Sequence, residues 1–224
     1  MIIDCISDLH GHFPKLEGGD LLIIAGDLTA TDTVQESISF QIWLHDQNYK
    51  KKILIAGNHD NRIAGFPFSA MSRHYQEMGE TYLCDSGTEF EGFKIWGSPW
   101  TTQFPGINPK CCAFTRPFMS SLQDRWELIP DDVDILITHT PPYSILDKVA
   151  TEFGASVGDQ DLLKELDSRI KPKLHVFGHI HENGGKQMIF KRLGYGIENN
   201  TICVNASIVN EYYKPVNDPI RITL

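Results

Sequence analysis

Five short apolar runs, each ending in a small cluster of Asp, Asn or His, constrain this chain more than any other feature. They cover residues 2–7, 21–25, 53–56, 133–138 and 173–177. Apolar runs this short, bounded by turn residues, read as strands covered on both faces. Strands of that kind, alternating with helical stretches, belong to an α/β fold with parallel or mixed sheets. The exits carry Asp8 and His10, then Asp27, then Asn58 and His59 in Gly57-Asn58-His59-Asp60, then His139, then His179 and His181. The carboxyl ends of parallel strands line one sheet edge, so these side chains are expected to converge there.

The residue types at those exits suit metal chemistry. Asn58 offers a neutral carbonyl oxygen to a hard cation, and the adjacent His59 can deliver a proton. A Gly-Asn-His-Asp tetrapeptide alone also makes a serviceable turn; its weight comes from recurrence at five strand exits. Asp8 and His10 lie two residues apart, as do His179 and His181. An extended backbone would put each pair on one face, placed to chelate one cation. Imidazole and carboxylate together suit two divalent ions of the manganese, iron or zinc type, manganese first, better than calcium or magnesium. Asp27, a single carboxylate midway in the set, is the natural bridge between them. His45, His74 and His175 lie inside helix- or strand-like stretches and read as ordinary surface or core residues. His12 is close to the site in sequence but outside the pairing.

Composition excludes several functions. The 224 residues carry a net charge of −9, which argues against wide binding to a long nucleic-acid backbone. A phosphate ester of nucleotide size stays possible, because bound cations would reverse the local field. No apolar run approaches the roughly 20 residues that span a bilayer. Met1-Ile2-Ile3-Asp4 lacks a signal-peptide pattern, so no membrane association and a cytoplasmic setting are expected. The five cysteines, Cys5, Cys84, Cys111, Cys112 and Cys203, are odd in number and form no C-x-x-C. Neighbouring Cys111 and Cys112 are poor partners geometrically, and reduced thiols are expected. Nothing in the sequence specifies an oligomeric state.

The remaining elements follow from local pattern. A helix is expected over residues 31–47, capped by Thr31 or Asp32, with Ile38, Ile42 and Trp43 at helical spacing. A weaker helix covers residues 69–78. Residues 82–84 and 88–96 suit a strand and a hairpin turning at Glu91-Gly92. Residues 97–117 show no regular pattern; Pro99, Pro105, Pro109 and Pro117 alternate there with Trp100, Phe104, Phe114 and Arg116. A loop that long in a compact domain is commonly functional. It is expected either to cover the site and stack on a base or to pack on the sheet as a hydrophobic flap, with Arg116 either a phosphate partner or a solvated charge. Helices are expected over 118–128 and 160–169, the latter with Leu162, Leu163 and Leu166 on one face. The tail adds strands over 188–191, 201–205 and 219–223. No linker or repeat interrupts residues 1–224, so one domain is expected.

In this order, Asp8-x-His10, Gly26-Asp27, Gly57-Asn58-His59-Asp60, His139 and Gly178-His179-x-His181 resemble the calcineurin-like metallophosphoesterase superfamily over residues 8–181. Four further features resemble its small metallophosphoesterase domain-containing (MPPED-type) subfamily. They are the short gap from Asp8 to Asp27, Gly97-Ser98-Pro99-Trp100, Thr138-His139-Thr140-Pro141-Pro142, and the run from Val176 to Glu182. The resemblance implies a four-layer αββα sandwich of two mixed β-sheets flanked by helices. It implies that Asp8, His10, Asp27 and His181 hold one ion, and that Asp27, Asn58, His139 and His179 hold the other. His59 would then sit beside the substrate phosphate, with Asp60 orienting its imidazole. The implied activity is dinuclear-metal-dependent hydrolysis of a small phosphate ester, by a metal-activated hydroxide with His59 as proton donor. A phosphodiester of nucleotide or cyclic-nucleotide type is favoured. The alternatives are a phosphomonoesterase on a small metabolite and a non-catalytic binding scaffold. Serine/threonine phosphatases of the superfamily carry an arginine soon after Gly-Asp; here Leu28-Thr29-Ala30-Thr31 follows, which disfavours a phosphoprotein substrate. They also carry Glu where this chain has Asp60, a difference that discriminates little.

Overall fold

The computed structural model describes residues 1–104, 106, 108–150, 154–191 and 200–224. Pro105 of the aromatic loop lies outside the described residues. Five strands form the first sheet: β1 (Ile2–Ile6), β2 (Gly19–Ala25), β3 (Tyr49–Ile55), β4 (Thr81–Tyr82) and β13 (Ile220–Thr223), in the order β13-β1-β2-β3-β4. The second sheet holds β5 (Ser86–Phe90), β6 (Phe93–Ser98), β9 (Ile135–Thr138), β10 (Leu174–Phe177), β11 (Lys186–Phe190) and β12 (Thr201–Asn205), in the order β11-β12-β10-β9-β6-β5. Both are mixed. Pairing is parallel through β1–β4 and from β6 through β9 and β10 to β12, with β13, β5 and β11 added antiparallel.

Period-two alternation explains the layers. Leu21, Ile23 and Ala25 of β2 pack with Ile135 and Ile137 of β9 and Val176 of β10, making a core between the sheets. Leu22 and Ile24 point the other way, against Phe40 and Leu44 of α1 (Val34–His45) and Tyr75 of α3 (Phe68–Glu77). On the far side, Leu136 packs with Trp126 of α4 (Gln123–Trp126) and with Leu162 and Leu166 of α5 (Gln160–Ser168). Each fully buried Leu or Ile there contributes about 1.5–3 kcal/mol. The result is the expected αββα order. A one-turn α2 (Asn61–Ala64) follows the central motif. Among the described residues no helix is long and apolar enough to cross a membrane.

Several local expectations change. Thr33, not Thr31 or Asp32, caps α1 in a capping box with Glu36. Asp32 instead accepts from Arg62 N at 2.8 Å. The buried face of α1 is Phe40 and Leu44, while Ile38 and Ile42 are 44% and 60% exposed. This helix is apolar on more than one side, so spacing alone could not select the inward face. The helix expected over 118–128 shortens to α4, with Met119 left-handed at φ 63° ahead of it. Within 97–117, β7 (Thr101–Gln103) and β8 (Thr115–Pro117) form a short parallel ribbon. The hairpin turn at Glu91-Gly92 is present, both residues at positive φ.

Candidate metal centre and its cavity

The ends of β1, β2 and β3 in one sheet and of β9 and β10 in the other meet at one edge. Asp8, His10, Asp27 and His181 each offer an atom there, all within 4.8 Å of one another. Asp27 Oδ2 lies 3.7 Å from His10 Nε2 on one side and 3.4 Å from His139 Nε2 on the other. His139 Nε2 in turn is 3.0 Å from Asn58 Oδ1, and the His139 and His179 ring centroids are 5.0 Å apart. The seven side chains read from the sequence as metal ligands therefore gather in two groups about Asp27.

They do not gather in the expected way. Asp8, His10, Asp27 and His179 have φ of 52°, 41°, 54° and 68°, left-handed rather than extended. Asp and His visit this region more readily than most residues, at a cost of order 1–3 kcal/mol each when the surroundings enforce it. The enforcement is visible in the backbone. Asp8 N donates to Gly26 O at 2.9 Å and His10 N to Asp27 O at 3.1 Å, locking the first two exits together. His179 N donates to both Asp8 oxygens at 3.1 Å, and His59 N to Asp27 Oδ1 at 2.9 Å. Those bonds consume one edge of Asp27 and leave Oδ2 facing the centre. The approach requires glycine: a Cβ on Gly178 would overlap the Asp8 carboxylate, and one on Gly57 the Asp27 carboxylate.

Electrostatics polarises the cluster. Burial opposes the Asp8 charge, but the hydrogen bond and charge of His181 outweigh it and bring the carboxyl down to about 2. Burial likewise opposes Asp27, which His139, His59 and His10 together hold well below the usual carboxylate range. Burial works against the His139 cation, yet Asp27 beside it pushes the imidazole up to about 9. Burial brings His10 down to about 4 and His179 down to about 3. A neutral imidazole is the ligand form. His179 Nε2 is buried without a hydrogen-bond partner, a cost that a cation would remove. With carboxylate, carboxamide and imidazole donors assembled, the cluster fits divalent first-row ions.

Above it opens a cavity of about 510 Å³ whose lining includes Asp27, Asn58, His59, His179 and His181 below and Phe104, Asn108, Cys111 and Tyr213 on the wall. Of the loop aromatics, Phe104 reaches the cavity, stacked on the His179 ring at 6.0 Å and 19°. Trp100 packs inward under Arg125 and donates to Asp85 at 2.8 Å. Arg116 is bound bidentately by Asp124 at 2.6 Å, so it is neither a phosphate partner nor a free charge. Asp60 also departs from expectation. Its carboxylate accepts from Gly57 N at 2.7 Å and Leu28 N at 3.0 Å, bracing the loops after β2 and β3 rather than the His59 ring. Burial and the charge of Asp27 push it up to about 8. His59 Nδ1 faces Cys111 Sγ at 3.3 Å instead. His12 Nε2 sits 3.1 Å from Tyr213 O, on the rim.

Sequence reasoning missed Tyr213, Asn108 and Cys111. The Tyr213 ring meets His10 at 4.8 Å and His181 at 5.1 Å, edge-on in both cases. Asn108 Nδ2 donates to its hydroxyl at 2.6 Å. A turn pinned by Asn210 Oδ1, which accepts from Tyr212 N and Lys214 N, aims the ring inward. No spacing ties that turn to the strand-exit motifs; the local turn signal is Asn210 with Pro215 five residues on.

Comparison with known proteins agrees with this geometry. The model of the calcineurin-like phosphoesterase family matches residues 1–183. The chain is 38% identical to metallophosphoesterase domain-containing protein 1 of Homo sapiens over 98% of its own length and 70% of that protein's. It is 33% identical to a UPF0046 protein of Caenorhabditis elegans, covering 96% of this chain and 78% of that one. The crystal structure of TT1561 of Thermus thermophilus shares the fold, with a TM-score of 0.56 at 17% identity over 93% of this chain and 89% of that one. The chain belongs to the calcineurin-like phosphoesterase family.

Proposed function

We propose that this phosphoesterase is a two-metal phosphodiesterase acting on a small nucleotide or cyclic nucleotide. The observation that carries it is Asp27 Oδ2 lying between two donor groups at the floor of the cavity. Asp8, His10, Asp27 and His181 would hold one divalent ion, and Asp27, Asn58, His139 and His179 the other, manganese being the first choice. Bound there, the ions supply Lewis-acid charge to the phosphate and an acidified water as nucleophile. His59 Nε2, 4.0 Å from Asp27 Oδ2, protonates the departing alkoxide, so that water and diester become monoester and alcohol. Such proton delivery contributes roughly 10²–10⁴-fold.

The wall supports the substrate class. Phe104 offers a ring for a base to stack on. Among the described lining residues there is no lysine or arginine, while Glu182 and Glu211 are present. Beyond the ions, nothing there answers the second charge of a monoester, and a long polyanion is repelled. The five cysteines are free, which supports the reading of a reducing, cytoplasmic setting.

A manganese-supplemented panel of a diester, a monoester and cyclic nucleotides tests the proposal. Turnover of the diester and cyclic nucleotides should exceed that of the monoester; the reverse order would overturn it. His59→Ala should keep both ions yet lose roughly 10²–10⁴-fold on alkyl esters and much less on nitrophenyl esters. Equal losses on the two would remove His59 from the acid role.

A further inference from the structure

A proton donor works only if its ring is held, and in this protein the acidic neighbour does not hold it. Both oxygens of Asp60 are taken by backbone N–H groups of Gly57 and Leu28. The contact to His59 Nδ1 is the sulfur of Cys111, at 3.3 Å. Cys111 is itself fixed, because the segment carrying it is latched to the loop after β3. Asn61 Nδ2 donates to Lys110 O at 3.2 Å, Cys112 N to Asn61 Oδ1 at 3.4 Å, and Ala113 N to Asn58 O at 3.2 Å. The same segment carries Asn108, which holds Tyr213.

We propose that Cys111 is the positioning residue of His59, its sulfur selecting the ring orientation that aims Nε2 into the cavity. The role rests, for its kinetic consequence, on the phosphodiesterase reading above. Burial and the charge of Asp27 push the Cys111 thiol up, so the sulfur is uncharged. An uncharged sulfur makes a weak, long hydrogen bond with an imidazole nitrogen. It therefore fixes the ring by direction and adds no charge to a pocket that must receive an anionic phosphate. Because Cys111 is half-buried on a loop outside the four-layer core, its substitution removes little packing.

Two readouts test the proposal in Cys111→Ala and Cys111→Ser. Nuclear Overhauser contacts of the His59 ring protons in the metal-free protein, with His59→Ala for assignment, should show one ring orientation in the wild type and in Cys111→Ser. Cys111→Ala should show exchange between two. In the manganese-loaded enzyme, Cys111→Ala should lower kcat on an alkyl diester about tenfold, a fraction of the full general-acid contribution. KM and turnover of a nitrophenyl diester should be unchanged, and Cys111→Ser should restore most of the loss. An unchanged His59 spectrum in Cys111→Ala, or equal losses on both esters, would overturn the assignment. Wild-type protein that cleaves neither ester would instead refute the phosphodiesterase reading, and the ring-orientation measurement would still decide the role of Cys111.

Discussion

On the floor of the cavity or buried just beneath it, Asp8, Asp27, Asn58, His139 and His179 follow the ends of five strands that are buried in one core. On its wall, Phe104, Asn108, Cys111 and Tyr213 hang from loops and turns, held by local side-chain and backbone contacts such as Asn108 to Tyr213. The floor is positioned by the packing of both sheets, so its side chains are pre-organised before any ligand arrives. The wall is positioned by turn chemistry and can change without disturbing the core. Reaction chemistry should therefore fail with floor substitutions, whereas wall substitutions should shift substrate preference except at Cys111, which touches His59.

The largest expected effect is on the floor. Asp27→Ala removes the carboxylate shared by both groups, so both ions should be lost and turnover should fall by more than about 10³-fold. Metal analysis still finding two ions per chain would break the contrast at its strongest point. On the wall, Phe104→Ala should raise KM for a nucleotide about tenfold, in line with the worth of base–aromatic stacking, and leave kcat unchanged. A drop in kcat instead would mean that Phe104, like Cys111, acts on the chemistry rather than on binding.

The smallest effect on turnover lies behind the floor, at His175, which acts on stability. The Thr138 hydroxyl donates to Thr140 O at 2.7 Å and so accepts from His175 Nε2 at 2.8 Å, leaving Nδ1 bare and buried without a partner. Burial brings this imidazole from 6.5 down to about 3. A base held neutral in the fold contributes stability that is complete above its unfolded pKa and lost as pH falls. The loss should run from pH 6.5 towards 3, at no more than about 1.4 kcal/mol per unit. Denaturant titrations of His175→Gln across that window should show a flatter pH response than the wild type. Parallel curves would show that His175 is solvated.

The same contrast explains what could be read from the sequence. Strand-exit residues announce themselves because a buried run such as 21–25 has few alternatives and ends abruptly at Gly26-Asp27. The parallel or mixed α/β class followed from five such exits, and the two-sheet order from the family resemblance they carry. The conformation of those exits did not: the period-two argument for Asp8 and His10 assumed extended backbone, and tertiary bonds to Gly26 and Asp27 impose the left-handed form. Asp60 was misjudged for a related reason. The family resemblance implied that Asp60 orients His59, whereas the backbone of Leu28 and Gly57 claims the carboxylate first. Tyr213 was invisible because its link to the site passes through a distant turn and one amide.

Each of the two ligand groups draws on both sheets: Asp8, His10 and Asp27 from the first with His181 from the second, and Asp27 and Asn58 with His139 and His179. Cations seated there would rivet one half of the sandwich to the other. Stabilisation by such binding grows with free metal concentration, so scarcity would leave a looser chain with its inter-sheet seam nearer to opening. The persistence of this protein in a cell, and not only its rate of turnover, would then track metal supply.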